Sequence, residues 1–452
     1  QDAQGQAIAA RSRYGSLAAG IPGEPAALDH IARRYGRQPL ARSLAAAIRY
    51  AGEGFVVDAK LAQAIAEQAP NLSWAAKKVL MPGGKPLAAG ARLVQADLAS
   101  TLTALAAQGR AGFYEGSVGE RLLQAVNSTG GAWTDEDLRR YEVVEREPLV
   151  FDFRGYRITT APPPSAGGLA LAQLFQQLEI LAWRDDGSSV SRHLWIESLR
   201  RAYHARAQYL GDPDFVRVPT AELAARSYAR ELAGSIDPRR ATPSSSLRKV
   251  PLVREGHQTT HLSVIDADGN RVAATLSINL PFGSGFMAPG TGVLLNDEMD
   301  DFASSTTASN AYGLIGSQAN AIAPRKRPLS SMSPTFVEGP RGVLVIGTPG
   351  GSRIPTMVAL GISAWIRGVD PLAIAAAPRV HHQYLPDEVS FEPDALSAAE
   401  QSQLVVLGHT LKPLAAPYGN LQLVSWDVQR QRLDAASDPR GVGAARVVEP
   451  TR

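Results

Sequence analysis

The sequence predicts a globular protein of the α+β class, and three observations support this prediction. Apolar residues in the first 258 positions mostly recur at helical spacing, whereas the part beyond Thr259 is richer in alternating, strand-like segments. With 452 residues, 44% of them hydrophobic, the chain can bury a large core. No apolar run reaches the ~18 residues that a membrane-spanning helix requires. Length alone would favour two or three domains.

The N-terminal part is predicted to contain a succession of helices separated by Gly and Pro turns. Their apolar periodicity places them at residues 24–34, 40–51, 97–107, 119–127, 167–181 and 191–209. Thr134 followed by Asp137 indicates a capped start of one more helix. Residues 147–160 alternate as two strands around the turn Arg154-Gly155, which is typical of a β-hairpin.

Beyond Thr259 the pattern predicts strands. Residues 260–265 and 271–278 alternate on either side of a polar Asp-Gly turn at 266–270, so a second hairpin is expected there. A strand is predicted at 335–337, followed by an apolar strand at 342–347 that leads through a Gly-Gly turn into a helix at 354–366.

Composition and motifs exclude several functional classes. The net charge is only +3 and no block of five or six basic residues occurs, so nucleic-acid binding is disfavoured. Without cysteine there is no disulfide, thiolate metal site or cysteine nucleophile. The turn at 266–270 lacks the Glu of a calcium loop, because Ser277 stands at the twelfth position. The neighbours His381 and His382 point to opposite sides of a strand. No metal and no cofactor are therefore predicted.

A threonine pair follows a segment that is predicted to be an exposed linker. Residues 242–255 are rich in Pro, Ser and Arg and lack periodicity, whereas Thr259 begins a strand. A threonine hydroxyl is a weak nucleophile unless a base lies beside it, and a free α-amino group on the same residue can be that base. Cleavage between Gln258 and Thr259 would create both together, with an amine pKa of about 7.7–8.0. Taken alone, the pair is better explained as ordinary β-forming residues.

The turn at Gly350 and Gly351 presents backbone N–H groups with no side chain to block an approaching anion. Such a turn can stabilise an oxyanion. Taken alone, the pattern favours a tight connection between a strand and a helix.

Five motifs in this order resemble the small subunit of the γ-glutamyltransferases, also called γ-glutamyltranspeptidases or glutathione hydrolases. They lie at residues 258–261, 266–270, 294–302, 327–334 and 350–354. Further similarity is found at residues 20–23, 130–141, 156 with 162–168, 202–215, 377–379 and 437–440. The resemblance thus covers essentially the whole chain and outweighs the simpler readings of Thr259 and of the Gly-Gly turn.

The resemblance implies an N-terminal-nucleophile hydrolase, a four-layer αββα sandwich made as one precursor that cuts itself. It would form a single domain of two parts, residues 1–258 and residues 259–452, that stay together. Thr259 would be the nucleophile and new N-terminus, and Gly350 and Gly351 the oxyanion hole. Ser277 stands where the family usually has a threonine whose hydroxyl supports the nucleophile.

The resemblance also assigns a substrate pocket. Asn279, Glu298 and Asp301 would face the substrate α-amino group, and the acidic residues suit an ammonium ion. Ser330 and Ser331 would meet the α-carboxylate. These assignments imply a γ-glutamyl hydrolase and transferase that acts on glutathione or a similar donor, with water, an amino acid or a peptide as acceptor.

Two alternatives remain open at this point. An acylase of the cephalosporin type shares the nucleophile but takes an acyl chain without the α-amino group. A non-catalytic homologue would keep only the fold. The acidic pair and the serine pair argue against the first alternative, and the intact Thr259 with both glycines argues against the second.

The start of the chain and one loop carry further expectations. Residues 303–312 resemble the family's substrate-covering loop, with Tyr312 as the gate. The family has a segment before residues 20–23 that carries core strands and a carboxylate-binding arginine. We therefore expect the full gene to encode that segment and a secretion signal, with a periplasmic or extracellular location.

Overall fold

The computed structural model describes residues 9–247, 259–303 and 318–448. These ranges form a mixed structure of helices and mainly antiparallel sheets, which confirms the α+β class. Within them, no helix combines the length and the apolar character needed to cross a membrane.

Each predicted helix is present, and the structure has further helices that the sequence analysis did not predict. Their bounds are α1 Ala9–Arg13, α2 Glu24–Arg34, α3 Leu40–Glu53, α4 Ala59–Gln68, α5 Trp74–Leu80, α6 Ala96–Gln108, α7 Ala111–Tyr114, α8 Gly116–Ser128, α9 Asp135–Arg139, α10 Gly167–Ile180, α11 Ser189–Tyr209, α12 Thr220–Leu223, α13 Arg226–Gly234, α14 Ile354–Ile366, α15 Pro371–Ala376 and α16 Ala398–Val406. The predicted cap is present, because the Thr134 hydroxyl accepts from the Asp137 amide and the Asp137 carboxylate accepts from the Thr134 amide.

The strands are short. Their bounds are β1 Phe55–Val56, β2 Arg92–Leu93, β3 Leu149–Phe153, β4 Tyr156–Thr160, β5 Thr259–Ile265, β6 Arg271–Ser277, β7 Thr335–Gly339, β8 Gly342–Gly347, β9 Val380–His381, β10 Val389–Phe391, β11 Leu411–Pro413, β12 Gln422–Asp427 and β13 Arg432–Ser437. The largest sheet has the order β13-β12-β8-β7-β4-β3, and all its neighbours are antiparallel.

One face of the six-stranded sheet is covered by helices. Helix α10 packs on β3, α14 packs on β8, and α11 lies against α10. The core between them contains Phe153, Phe175, Leu344, Ile346 and Trp365, each at most 1% exposed. Helix α14 is so apolar that ten of its thirteen residues are buried. This core therefore fixes the end of β8, from which the Gly350-Gly351 turn starts.

The hairpin of β5 and β6 packs on the opposite face of the same sheet, against β8 and β12. Its register pairs Thr259 with Ser277 and His261 with Thr275. In the described parts of the chain the hairpin forms a two-stranded sheet of its own, so the second sheet of the expected sandwich has two strands there. The helices, the six-stranded sheet and the hairpin form three successive layers. The nucleophile candidate, Thr259, is the first residue of the hairpin.

A second core joins the N-terminal helices to the segment after the hairpin. Phe113, Tyr114 and Leu122 from α7 and α8 pack with Phe286 and Leu295. This packing holds the segment that continues into the short 3-10 turn Glu298–Asp301. The acidic residues of the candidate pocket are thus placed by contacts between the two parts of the chain.

Candidate active site at the start of the hairpin

Thr259 and Ser277 face each other across the open end of the hairpin. The Thr259 hydroxyl donates to the Ser277 hydroxyl oxygen over 3.2 Å. Ser277 Oγ also accepts from the Asn279 backbone N–H at 3.0 Å. A serine hydroxyl oxygen has two acceptor positions, and these two bonds use both of them. Ser277 is therefore oriented with one lone pair directed at Thr259. Burial raises the pKa of the nearby Glu298 carboxyl group, and Ser277 lowers it by a smaller amount.

Asn279 turns the chain from the hairpin toward the acidic turn. Its φ of +68° lies in the left-handed region, which Asn tolerates better than most residues. The side-chain amide nitrogen donates to the carbonyl and the carboxylate of Asp297, both at 3.2 Å. Asn279 is 2% exposed, so it lies at the site, but its amide N–H groups are directed to Asp297.

Glu298 and Asp301 form an acidic pair next to Ser277. The two carboxyl groups lie close enough to affect each other's pKa. Burial raises the pKa of Glu298 to about 7, although its interactions with Ser277 and Asp301 lower it. Burial also raises the pKa of Asp301 well above its usual value, with the charges of Glu298 and Asp297 adding to the effect. The raised pKa values favour a pair that holds a proton at neutral pH.

One oxygen of Asp301 has no hydrogen-bond partner among the residues that the structure describes. Asp301 is 7% exposed, and its Oδ1 atom is buried. A buried carboxylate oxygen without a donor is unfavourable by ~1–3 kcal/mol or more. The cationic side chain that acts on Asp301 is Arg206 of α11, whose charge lowers the pKa of Asp301 less than burial raises it. The site therefore favours an additional cationic donor.

Asp297 is a site residue that the sequence did not single out. It is fully buried, and its Oδ1 accepts from the Leu280 N–H at 2.9 Å. Burial raises the pKa of Asp297 to about 8, helped by the charges of Glu298 and Asp300. The run of acidic residues at 297–301 was the available signal, but only the structure shows that Asp297 points at the backbone next to Asn279.

The Gly350-Gly351 turn follows β8 directly. Gly350 has a φ of +142° and Gly351 one of +56°, conformations that favour glycine. A Cβ atom on Gly350 would also lie 2.5 Å from the Met357 methyl group. In the described part of the chain, neither glycine N–H donates a hydrogen bond. Two backbone donors are thus available to a ligand.

A close contact joins the strand that begins with the nucleophile candidate to the strand that precedes this turn. The ring of His261 lies so close to Gly347 that a Cβ atom there would be 2.2 Å from the ring. His261 is two residues after Thr259, and Gly347 is three residues before Gly350. His261 is held by Thr275 Oγ1 at 2.8 Å and Ser263 Oγ at 3.0 Å, and burial lowers its pKa to about 4. A neutral, packed His261 therefore fixes the strand that begins at Thr259 against the strand that leads into the glycines.

The two predicted serines lie on a loop that is tied to the acidic turn. Ser330 Oγ accepts from the Met332 N–H at 3.1 Å, and Ser331 is 2% exposed. Asn320, which the sequence did not single out, accepts from the Leu329 N–H at 3.1 Å and donates to the Asp301 carbonyl at 2.7 Å. One amide side chain thus links the serine loop to the acidic pair.

Two expectations lie outside the described residues. Gln258, on the other side of the predicted cleavage bond, is one of them. Tyr312, with residues 304–311 of the predicted covering loop, is the other.

One group in the described ranges has the spacing of metal ligands, at His193, Glu197 and His409. His193 Nδ1 and His409 Nε2 are 2.7 Å apart, a hydrogen-bond distance. Glu197 already binds Arg200 Nε at 3.0 Å and Arg201 Nη1 at 2.7 Å. Because both carboxylate oxygens are committed to arginines, the group is arranged as an ion-pair cluster and not as an open set of ligands.

Comparisons with known proteins agree on the family. A family model described as Gamma-glutamyltranspeptidase matches residues 1–448. A glutathione hydrolase proenzyme of Escherichia coli K12 is 40% identical, over 98% of this chain and 77% of that protein. One from Pseudomonas aeruginosa is 39% identical, over 99% of this chain and 81% of the relative.

Solved structures share the fold. A crystal structure titled cephalosporin acylase from Bacillus halodurans has a TM-score of 0.84 and 26% identity, over 97% of this chain and 80% of that one. The γ-glutamyltranspeptidase of Helicobacter pylori has a TM-score of 0.53 and 34% identity, over 55% of this chain and 72% of that one. These similarities support the N-terminal-nucleophile hydrolase type predicted from sequence.

Proposed function

Because the chain belongs to the γ-glutamyltranspeptidase family and is a γ-glutamyl hydrolase/transferase, we propose that Thr259 is its nucleophile, released by self-cleavage after Gln258. Its donors are γ-glutamyl amides such as glutathione, and its acceptors are water, amino acids or peptides. The relatives are named proenzymes, which is consistent with such maturation.

The unpartnered, buried carboxylate oxygen of Asp301 is the observation that carries the substrate assignment. Burial raises the pKa of Asp301 and of Glu298, and the charge of Arg206 does not offset this at Asp301, so the pair favours holding a proton. The α-ammonium group of a γ-glutamyl donor supplies both a positive charge and N–H donors. Ser330 and Ser331, on the loop that Asn320 links to Asp301, would then bind the α-carboxylate.

The proposed reaction begins with Thr259 and uses the Gly350-Gly351 turn. The freed α-amino group of Thr259 takes the proton of the Thr259 hydroxyl, whose oxygen attacks the γ-carbonyl carbon. The oxyanion that forms accepts from the N–H groups of Gly350 and Gly351. When the tetrahedral intermediate collapses, the C–N bond breaks and the leaving amine takes the proton from the Thr259 ammonium. Water or an acceptor amine then cleaves the γ-glutamyl ester by the same steps.

Contacts across the cleavage point support the proposal that both parts stay together. Arg200 of α11 is paired with Asp387, and Tyr203 of the same helix donates to the Ser352 carbonyl. These are contacts between the part before Gln258 and the part after it. A periplasmic or extracellular location remains a prediction.

A second candidate is an acylase activity, favoured by the similarity to the structure titled cephalosporin acylase. An acyl donor without an α-amino group would leave the buried carboxylates without a counter-charge, which is costly. We therefore propose this activity only as the alternative.

The experiment compares hydrolysis of a γ-glutamyl anilide and the matching glutaryl anilide by the purified, matured protein. The proposed function predicts a strong preference for the γ-glutamyl compound. Preference for the glutaryl compound would favour the acylase, and no turnover of either with an intact Thr259 amine would favour a non-catalytic homologue.

A further inference from the structure

A closed set of buried side chains lies directly behind the Gly350-Gly351 turn. Tyr203, Ser352, Thr356 and His381 are each at most 5% exposed. Tyr203 comes from α11, before the cleavage point, whereas the others come from the part after it. None of them takes part in the mechanism above.

Ser352 is held at both its backbone and its side chain. The Tyr203 hydroxyl donates to the Ser352 carbonyl. The Ser352 hydroxyl donates to Gln383 Oε1 at 2.6 Å. Ser352 directly follows Gly351 within the 3-10 turn Gly351–Arg353, so these two bonds hold the residue next to the two glycines.

The remaining members fix the two residues that hold Ser352. Gln383 Oε1 also accepts from His381 Nε2 at 2.9 Å, and its amide nitrogen donates to the Leu385 carbonyl at 3.1 Å. With its proton on Nε2, a neutral His381 uses Nδ1 to accept from the Thr356 hydroxyl at 2.9 Å. The Thr356 oxygen lies 3.4 Å from the Tyr203 hydroxyl, which completes a ring of contacts.

We propose that Tyr203 and Gln383 are positioning residues that act through Ser352 to hold the Gly350 and Gly351 N–H groups toward the reacting carbonyl oxygen. This inference rests on the proposed function and adds a dependence between the two parts of the chain. A residue before the cleavage point sets the geometry of a turn after it. Because the oxyanion site is fixed before substrate binds, Tyr203 and Gln383 should stabilise the transition state without changing the affinity for substrate.

The test is Tyr203→Phe, with Tyr114→Phe as the matched control. Tyr114 is also fully buried in the part before the cleavage point, and its hydroxyl donates to the Pro22 carbonyl at 2.5 Å. Both variants delete one buried tyrosine hydroxyl that donates to a backbone carbonyl, so a merely structural effect on Tm should be similar. Tyr203→Phe should lower kcat/KM roughly 10-fold, a fraction of the 10²–10³ lost when an oxyanion donor is removed. Tyr114→Phe should leave kcat/KM unchanged.

Two ligands separate positioning from stability. A γ-boronic acid analogue of glutamate forms a tetrahedral adduct on the nucleophile and places an oxygen in the oxyanion site. Its Ki should rise by the same factor as kcat/KM falls in Tyr203→Phe, while Kd for free glutamate changes by less than about twofold. Gln383→Leu should produce the same pattern. In the double variant of Tyr203 and Gln383, the fold-decrease in kcat/KM should be smaller than the product of the two single decreases.

If Tyr203→Phe does not fold, Ser352→Ala removes the bond to Gln383 without altering the aromatic core and should give the same pattern. Unchanged kcat/KM in folded Tyr203→Phe and Ser352→Ala, or equal losses in boronate and glutamate binding, would overturn the inference. If the wild type is active, each of these two results overturns only the positioning role and leaves the proposed function intact. An inactive wild type would instead reject the proposed function.

Discussion

The Thr259 hydroxyl donates to Ser277 Oγ over 3.2 Å, across the open end of the hairpin. Burial raises the pKa of Glu298, and an interaction with the Ser277 side chain lowers it by a smaller amount. Ser277 therefore lies between the nucleophile candidate and the pair Glu298 and Asp301, which we propose to bind substrate.

Replacing Ser277 tests this connection. Ser277→Ala removes the oxygen that accepts from Thr259, so kcat should fall by roughly 10- to 100-fold, corresponding to ~1.4–2.7 kcal/mol. Ser277→Thr keeps the hydroxyl and should retain most of the activity. Steady-state kinetics on a γ-glutamyl anilide measure both, and equal activity of the Ala and Thr variants would remove Ser277 from the mechanism.

Asp301→Asn tests recognition of the α-ammonium group. Loss of one partner of a buried ion pair costs on the order of 3–5 kcal/mol, so kcat/KM for the γ-glutamyl anilide should fall several hundred-fold. Asp300→Asn is the matched control in the same turn, because the Asp300 carboxylate binds Ser12 and Arg13 instead. Asp301→Asn should leave activity on the glutaryl anilide nearly unchanged, and the variant should still cleave itself. Equal losses on both anilides would contradict this role of Asp301.

The affinity for free glutamate should depend on pH. Burial raises the pKa of Glu298 to about 7, and an ammonium ion bound beside it would lower that pKa. Binding therefore favours the deprotonated pair, so affinity should increase as the pH rises and level off above about 7. Calorimetry on the wild type and on Glu298→Gln tests this, because Gln does not titrate and should flatten the profile. A wild-type affinity that falls as the pH rises to neutrality would contradict it.

Glu197 should contribute to the free energy of unfolding and should have no role in the reaction. Burial would raise its pKa, but Arg200, the Thr242 amide and Arg201 outweigh burial and lower it to about 2. Because the folded pKa lies below the unfolded value, this stabilisation is present above about pH 4.5 and is lost as the pH falls toward 2.

Glu197→Gln should therefore lower the free energy of unfolding by on the order of 3–5 kcal/mol at neutral pH. Glu115→Gln is the control, since Glu115 pairs with Arg110 at 3.3 Å with its side chain 47% exposed and should cost at most ~1 kcal/mol. Urea unfolding measures both, and equal effects would show that the buried cluster adds nothing.

Features with a local sequence signal were predicted well. The strand Gly342–Gly347, the turn after it and the helix Ile354–Ile366 follow from a change of hydrophobic period within one short segment. The hairpin that begins at Thr259 was predicted from alternation around an Asp-Gly turn. The family assignment came from ordered motifs and is confirmed by the comparisons.

Features that depend on long-range contacts were not predictable from local patterns. Tyr203 and Ser352 are 149 positions apart, and no periodicity reports their hydrogen bond. Asn320 looks like an ordinary loop residue in the sequence, yet it links the serine loop to Asp301. Asp297 could be found only as one of several carboxylates, because its role depends on burial beside Leu280 and Asn279.

The most direct test of Thr259 is intact-mass spectrometry of the denatured wild type and of Thr259→Ala, before and after brief exposure to a γ-glutamyl donor. We predict that the wild type separates into two fragments, the second beginning at Thr259, and that only this fragment gains the mass of one γ-glutamyl group, on Thr259. Thr259→Ala should remain one inactive and unlabelled chain. A wild type that is active while uncut, or a γ-glutamyl group attached elsewhere, would contradict Thr259 as the nucleophile.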